Sequence, residues 1–264
     1  MDWGYKAVLT GMTVAAVMMA ARLLGRHAAG LLAGLPVISA PTLVWLAAEQ
    51  GVESATRSAM GGLAACAAAP VFALAFERAA RRHGAAGALW RALLALVAAL
   101  ALVQPLQAAP WAMLGLALAT ALLAGRVVAG QPQAAGWVRA LRGEPWMSAS
   151  LAGGVSAGAS QLATQVGPFW SGVVAALPLI SGFALVHLRR AGGPGDVCRF
   201  VRGYVPGVAA KALFLCSFAL LAPRTGTGWA LALAACVGAG AALAWATRTS
   251  RTVPTAPWRA RAGH

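Results

Sequence analysis

The sequence predicts an all-α, polytopic transmembrane helix bundle of about nine helices, built as two inverted-topology four-helix repeats joined by one linking helix. Three observations lead to this prediction. The 264-residue chain is 60% hydrophobic and 10% charged, it contains long apolar runs, and its two halves match at a fixed shift. Because a soluble domain carries about 25% charged residues, we expect lipid to be the main solvent of this chain.

Apolar runs of membrane-spanning length occupy most of the chain. The runs at 88–103, 111–123 and 229–245 contain no acidic residue. In lipid their backbone amides must bond within the segment, which favours helices, and continuous Ala and Leu exclude the alternation of a membrane β-barrel. Turn residues between the runs place the predicted helices at 5–24, 28–48, 56–77, 86–104, 110–129, 147–165, 169–188, 200–221 and 227–247.

Basic residues lie in the gaps between these predicted helices. The net charge is +15, but the charges do not gather on one solvated face, so no nucleic-acid partner is expected. Arg greatly outnumbers Lys, which is typical of GC-rich bacterial genomes. We therefore expect a bacterial inner-membrane protein with a periplasmic N-terminus and a cytoplasmic C-terminus. This orientation puts most basic segments in the cytoplasm, namely 22–26, 78–82, 139–142, 189–190 and the tail.

The chain repeats itself at a shift of 142 residues. GLLAGLPVISAPTLVWL at 30–46 aligns without a gap with GVVAALPLISGFALVHL at 172–188, and nine of the seventeen positions are identical. The register continues downstream, where Arg57 pairs with Arg199 and Gly61 with Gly203. Composition alone does not explain paired Pro, Arg and Gly, so we interpret the match as an internal repeat.

The repeat divides the chain into four parts. We expect a first four-helix repeat at 1–107, a linking helix and cytoplasmic loop at 108–143, a second four-helix repeat at 144–247, and a basic cytoplasmic tail at 248–264. Because one helix links the repeats, the second repeat crosses the membrane in the opposite direction to the first. Inverted repeats of this kind are a recurrent construction of secondary transporters.

Four short motifs lie in the first repeat, namely Tyr5-Lys6-Ala7, Ala29-Gly30-Leu31, Leu35-Pro36 and the segment from Arg57 through Gly61. They resemble the GlpM-like family of small bacterial membrane proteins, which are roughly one repeat long. The resemblance covers about the first 75 residues. It implies a multi-helix inner-membrane protein and specifies no chemistry. This chain departs from the family in carrying two copies.

An LPxIS motif occurs at matching positions in both repeats, at 35–39 and 177–181. A proline inside a spanning helix frees a carbonyl about one turn earlier, and a nearby serine can satisfy or redirect such groups. Broken helices at matching positions in two halves indicate a transport site. The candidate substrate-binding residues are therefore Pro36, Ser39, Pro178 and Ser181; the alternative is a packing kink.

Three basic residues are further candidates for binding an anionic substrate. Arg57 and Arg199 occupy equivalent positions in the two repeats, and a guanidinium offers bidentate donors to carboxylate or phosphate. The alternative is that both arginines extend to the lipid headgroups. Lys211 lies deep in its predicted helix, where a charge is expensive unless it faces a cavity or a partner.

No sequence motif indicates an enzyme. Walker, HExxH, GxSxG and dinucleotide motifs are absent, and the Cys and His residues lack metal-site spacing. We therefore expect no catalytic residue, no metal and no cofactor. The six acidic residues lie near predicted helix ends, so a proton relay through a buried acid is not expected.

Two functions fit these observations. The first is a secondary transporter or flippase that moves a small anionic solute or an anionic lipid by alternating access. The second is a non-transporting scaffold or accessory subunit of an envelope or export complex. The expected partners are membrane lipids and a small anionic substrate, with a homo-oligomer or a membrane complex as further possibilities.

The inverted arrangement predicts opposite exposure of two segments. Single cysteines introduced in 49–55 and in 191–198 should react with a membrane-impermeant thiol reagent from opposite sides of the membrane. Labelling of both segments from the same side would contradict the inversion.

Overall fold

The structure is a computed structural model that describes residues 38–129, 164–191 and 193–250, together with the isolated positions 4, 8, 11, 12, 36, 154 and 158. Across these residues the chain is helical and contains no strand. The helices are α1 (Ser39–Arg82), α2 (Ala85–Val103), α3 (Pro110–Ala129), α4 (Pro168–Ala176), α5 (Leu179–Ala191) and α6 (Pro194–Ser250). A 3₁₀ turn at Gln104–Leu106 joins α2 to α3. The predicted helices at 5–24 and 147–165 lie almost wholly outside the described residues.

Five helical segments are long and apolar enough to cross a membrane. Two of them, α2 and α3, present apolar side chains outward. The most apolar 18-residue window of Ala85–Leu106 has a mean hydropathy of 2.1, yet only 22% of this window is buried inside the protein. Large hydrophobic side chains such as Val97, Leu102 and Trp111 are exposed. Such a surface fits hydrocarbon rather than water, in agreement with a multi-pass membrane protein.

The backbone leaves the helical conformation at single glycines where the sequence predicted loops. Helix α1 contains Gly51 at φ 86° and ψ 168°, and α6 contains Gly226 at φ 77° and ψ 166°. Gly238 lies against Phe214, so the two limbs of α6 run antiparallel. A positive φ costs glycine nothing because it lacks a Cβ. The predicted loop at 49–55 is therefore a one-residue turn between two helical limbs.

Glycines paired by the 142-residue shift share a backbone conformation. Gly51 and Gly193 both have a φ of 86°. Each follows a helical segment that begins just after one of the paired prolines, Pro36 and Pro178. The two glycines therefore share a positive φ at positions that the sequence shift pairs.

Arginine side chains join several helix ends at one end of the bundle, which we call the basic end. The Arg189 Nε donates a hydrogen bond to the carbonyl of Ala80 at 2.7 Å, and the Arg202 Nη2 donates to the carbonyl of Val128 at 2.8 Å. Cations at helix C-termini satisfy orphan carbonyls and complement the helix dipole. These bonds bring together the C-terminal ends of α1, α3 and α5 and the first turns of α6.

Helices α1 and α4 approach each other through glycine. A Cβ on Gly61 would overlap the carbonyl oxygen of Phe169, and a Cβ on Gly172 would overlap the carbonyl oxygen of Ser58. These two close contacts position α4 against α1.

Substitution of Gly61 by Ala should destabilise the protein. The added methyl group forces α4 away from α1, and overpacking of this kind costs about 3 kcal/mol. Thermal unfolding in detergent measures the effect. The matched control is Gly115→Ala in α3, where a Cβ meets nothing within 4 Å and helix propensity favours Ala. Equal unfolding temperatures for the two variants would contradict this packing.

Candidate functional site at a broken helix

The predicted helix at 169–188 is interrupted at Leu177 and Pro178. Helix α4 ends at Ala176, Leu177 is extended with φ −52° and ψ 145°, and α5 begins at Leu179. The residue before a proline is disfavoured in the helical region, and proline cannot donate a backbone hydrogen bond. The last carbonyls of α4 therefore lack their intrahelical partners. We call this interruption the helix break.

Lys211 lies at the helix break. Its Nζ donates a hydrogen bond to the carbonyl oxygen of Ala176 at 3.4 Å. The side chain is half-buried, and it lies about midway along the first limb of α6, between Pro194 and Gly226. An ammonium group beside the C-terminal end of α4 meets the negative end of the helix dipole. The predicted site residues Pro178 and Lys211 are thus brought together.

A buried hydrogen bond lies beside the same break. The hydroxyl groups of Ser181 and Tyr204 are hydrogen-bonded to each other, and these residues are 2% and 3% exposed. Tyr204 and Lys211 are seven residues apart, which is two helical turns, so they share one face of α6. That face meets both sides of the break, Ala176 at the end of α4 and Ser181 at the start of α5.

The polar face of α6 has no equivalent in the first repeat. The shift of 142 residues pairs Tyr204 with Gly62 and Lys211 with Ala69. Lys211 is recognisable in the sequence because a charge in an apolar helix is unusual, whereas Tyr204 was not predicted. A comparison of paired positions could have identified Tyr204, because this large polar residue is paired with Gly62.

The first LPxIS motif gives α1 its N-terminal end. The backbone N–H of Ala40 donates to the carbonyl of Pro36 at 2.9 Å, and Ser39 occupies the first turn of α1. The Oγ atoms of Ser39 and Ser58 are the two buried side-chain oxygens without a hydrogen-bond partner in the described part of the chain. Unpaired buried hydroxyls cost free energy, and both serines belong to α1.

The structure does not bring Arg57 and Arg199 to the helix break. Arg57 forms an exposed ion pair with Glu53, one turn earlier in α1. Arg199 lies 3.8 Å from Asp196 near the start of α6, measured between Nη1 and Oδ1. Each guanidinium thus has a carboxylate on its own helix, and the two lie far apart along the bundle. A joint anion clamp does not fit this geometry.

Glu77 is more deeply buried than its predicted place near a helix end suggested. It lies near the C-terminal end of α1, as expected, but its side chain is fully buried. The Arg81 Nε donates to the Glu77 carboxylate at 2.7 Å. The i,i+4 spacing of the two residues is a sequence signal for this pair. The buried carboxylate belongs to the basic end rather than to the helix break.

In the described ranges, no three His, Cys, Asp or Glu side chains come close enough together to bind a metal ion. Comparisons of the chain with protein-family models, with curated proteins and with solved structures find no match. The helix break is therefore the feature from which a function can be inferred.

The Ser181–Tyr204 hydrogen bond should be measurable as a coupling energy. Tyr204→Phe and Ser181→Ala each remove one partner and leave the other hydroxyl unpaired, so each should cost about 1 kcal/mol. The double variant should cost less than the sum of the two, with a coupling of about 0.6 kcal/mol. Chemical or thermal unfolding of the four proteins tests this. Strict additivity would show that the bond contributes nothing.

Proposed function

We propose that this protein is a secondary transporter or flippase that moves a small anionic solute or an anionic lipid by alternating access. The observation that carries the proposal is the Lys211 ammonium at the interrupted end of α4. In the described part of the chain, a cation without a carboxylate partner lies beside the carbonyls of a helix end and near the buried hydroxyl groups of Ser181 and Tyr204. Such broken helices near the middle of a bundle are typical of substrate sites in transporters.

The charge of Lys211 favours an anionic substrate. An ammonium has three donors, and one long hydrogen bond to Ala176 leaves two for a ligand. No carboxylate pairs with Lys211 among the residues that the structure describes. A charge inside an apolar helix is retained at considerable cost, which is usual where it faces a cavity, a partner or a substrate. A bound anion supplies the missing counter-charge.

The repeat supports alternating access as the mechanism. If the halves are inverted, the helix that begins after Pro36 and the helix that begins after Pro178 approach the site from opposite sides of the membrane. The shared conformation of Gly51 and Gly193 fits a common ancestry of the halves. The resemblance of the first half to GlpM-like proteins supports a bacterial inner membrane as the location. Rocking of one half against the other exposes the site to each side in turn.

A flux assay on proteoliposomes tests the proposal. The probes are phosphate and chloride as solutes, and fluorescent phosphatidylglycerol as a lipid. We expect protein-dependent movement of at least one probe, and Lys211→Ala should slow it about tenfold, because a charge-assisted hydrogen bond contributes about 1.5–3 kcal/mol.

The matched control is Arg224→Ala. Arg224 is an exposed cation on the same helix, and it donates to the carbonyl of Leu220 in its own turn. This variant should retain the wild-type rate. Absence of flux for every probe, together with purification only as part of a larger assembly, would favour the scaffold or accessory subunit. Equal rates for wild type and Lys211→Ala would remove Lys211 from the site.

A further inference from the structure

The basic end contains a cavity that is separate from the helix break. Its volume is about 560 Å³, and it lies between the last turns of α1 and the first turns of α2. Alanine forms part of its wall. The polar lining is entirely basic, with four arginines and one histidine: Arg78, Arg81, Arg82, His83 and Arg91. A cavity of this size holds a small-molecule group such as a phosphorylated headgroup.

Among the residues that the structure describes, acidic side chains leave most of the positive charge of this cavity unpaired. Glu77 is committed to Arg81. In the ranges that the structure describes, no carboxylate forms an ion pair with Arg78, Arg82 or Arg91. Three guanidinium groups therefore face one space without a counter-ion. Guanidinium groups match the geometry of phosphate oxygens through paired donors.

The backbone does not use up these arginines either. The C-terminal end of α1 is already capped from α5, since Arg189 donates to the carbonyl oxygens of Ala80 at 2.7 Å and of His83 at 3.4 Å. This cap leaves the donors of Arg78, Arg82 and Arg91 for another acceptor.

The surface next to the cavity is apolar. Trp90, Leu94 and Val97 of α2 are 64%, 54% and 64% exposed. Leu94 lies one helical turn after Arg91, so apolar surface begins directly beside the charged lining. A free phosphate ion would make no use of that surface, whereas an amphiphile with a phosphate headgroup matches both parts.

We propose that this cavity binds the phosphate headgroup of an anionic phospholipid, with the acyl chains against the exposed face of α2. Basic pockets at the ends of transmembrane helices bind anionic headgroups through this chemistry. The site is independent of the proposed transport function, because it lies on one helical hairpin away from Lys211. It would hold a lipid in a scaffold protein as well as in a transporter.

Native mass spectrometry of the purified full-length protein tests this site. The probes are phosphatidylglycerol, phosphatidylcholine and inorganic phosphate, each titrated into the detergent-solubilised protein. Each arginine near an anionic lipid contributes about fivefold to binding, so Arg82→Gln or Arg91→Gln should weaken phosphatidylglycerol binding about fivefold and the double variant about thirtyfold. Phosphatidylcholine should bind more weakly than phosphatidylglycerol to the wild type.

The matched control is Arg190→Gln, an exposed arginine at the basic end that does not line the cavity. It should leave phosphatidylglycerol binding within about twofold of the wild type, because Arg190 does not line the cavity and exposed charges interact weakly beyond about 10 Å at physiological salt. An equal loss with Arg190→Gln would show general surface attraction and overturn the site. Unchanged binding in the double variant would also overturn it. Inorganic phosphate that binds as tightly as the lipid would overturn the assignment to phospholipid.

Discussion

The fold depends on one constraint, which is that backbone carbonyls away from water must find partners within the protein. Helices satisfy most of them internally, so the demand concentrates at helix ends. Three long cationic side chains meet it in the same way: Arg189 at the end of α1, Arg202 at the end of α3 and Lys211 at the end of α4. A cation on a helix C-terminus is thus the recurring tertiary contact of this chain.

The location of each contact decides what it does. At the basic end, Arg189 and Arg202 tie neighbouring helices together near the bundle surface, where charge is easily tolerated. At the helix break the same contact lies about halfway along α6, where the cation is costly. This half-buried cation occurs in the second half of the chain alone, because the 142-residue shift pairs Lys211 with Ala69. The proposed site is therefore a specialisation of the second repeat.

Hydropathy and turn residues predicted the outer helices well. The predicted bounds 86–104 and 110–129 agree with α2 and α3 to within one residue, because solvent preference and prolines determine where these helices end. The LPxIS motif likewise predicted the break at Pro178. Tertiary contacts were not predictable in this way, since Ser181 meets Tyr204 only once α5 packs on α6. The i,i+4 spacing of Glu53 and Arg57 predicts their ion pair. The repeat instead suggested that Arg57 acts together with Arg199.

The single-glycine turns at Gly51 and Gly226 leave little room for insertions or deletions in this chain. A long loop absorbs an insertion, whereas here one residue joins two helical limbs with no slack. Each residue added to a limb turns everything beyond it by about 100°, which would swing the apolar face of that limb away from its neighbour. An insertion or deletion next to these two turns would therefore disrupt the packing of a whole limb, whereas an exposed substitution would leave it in place.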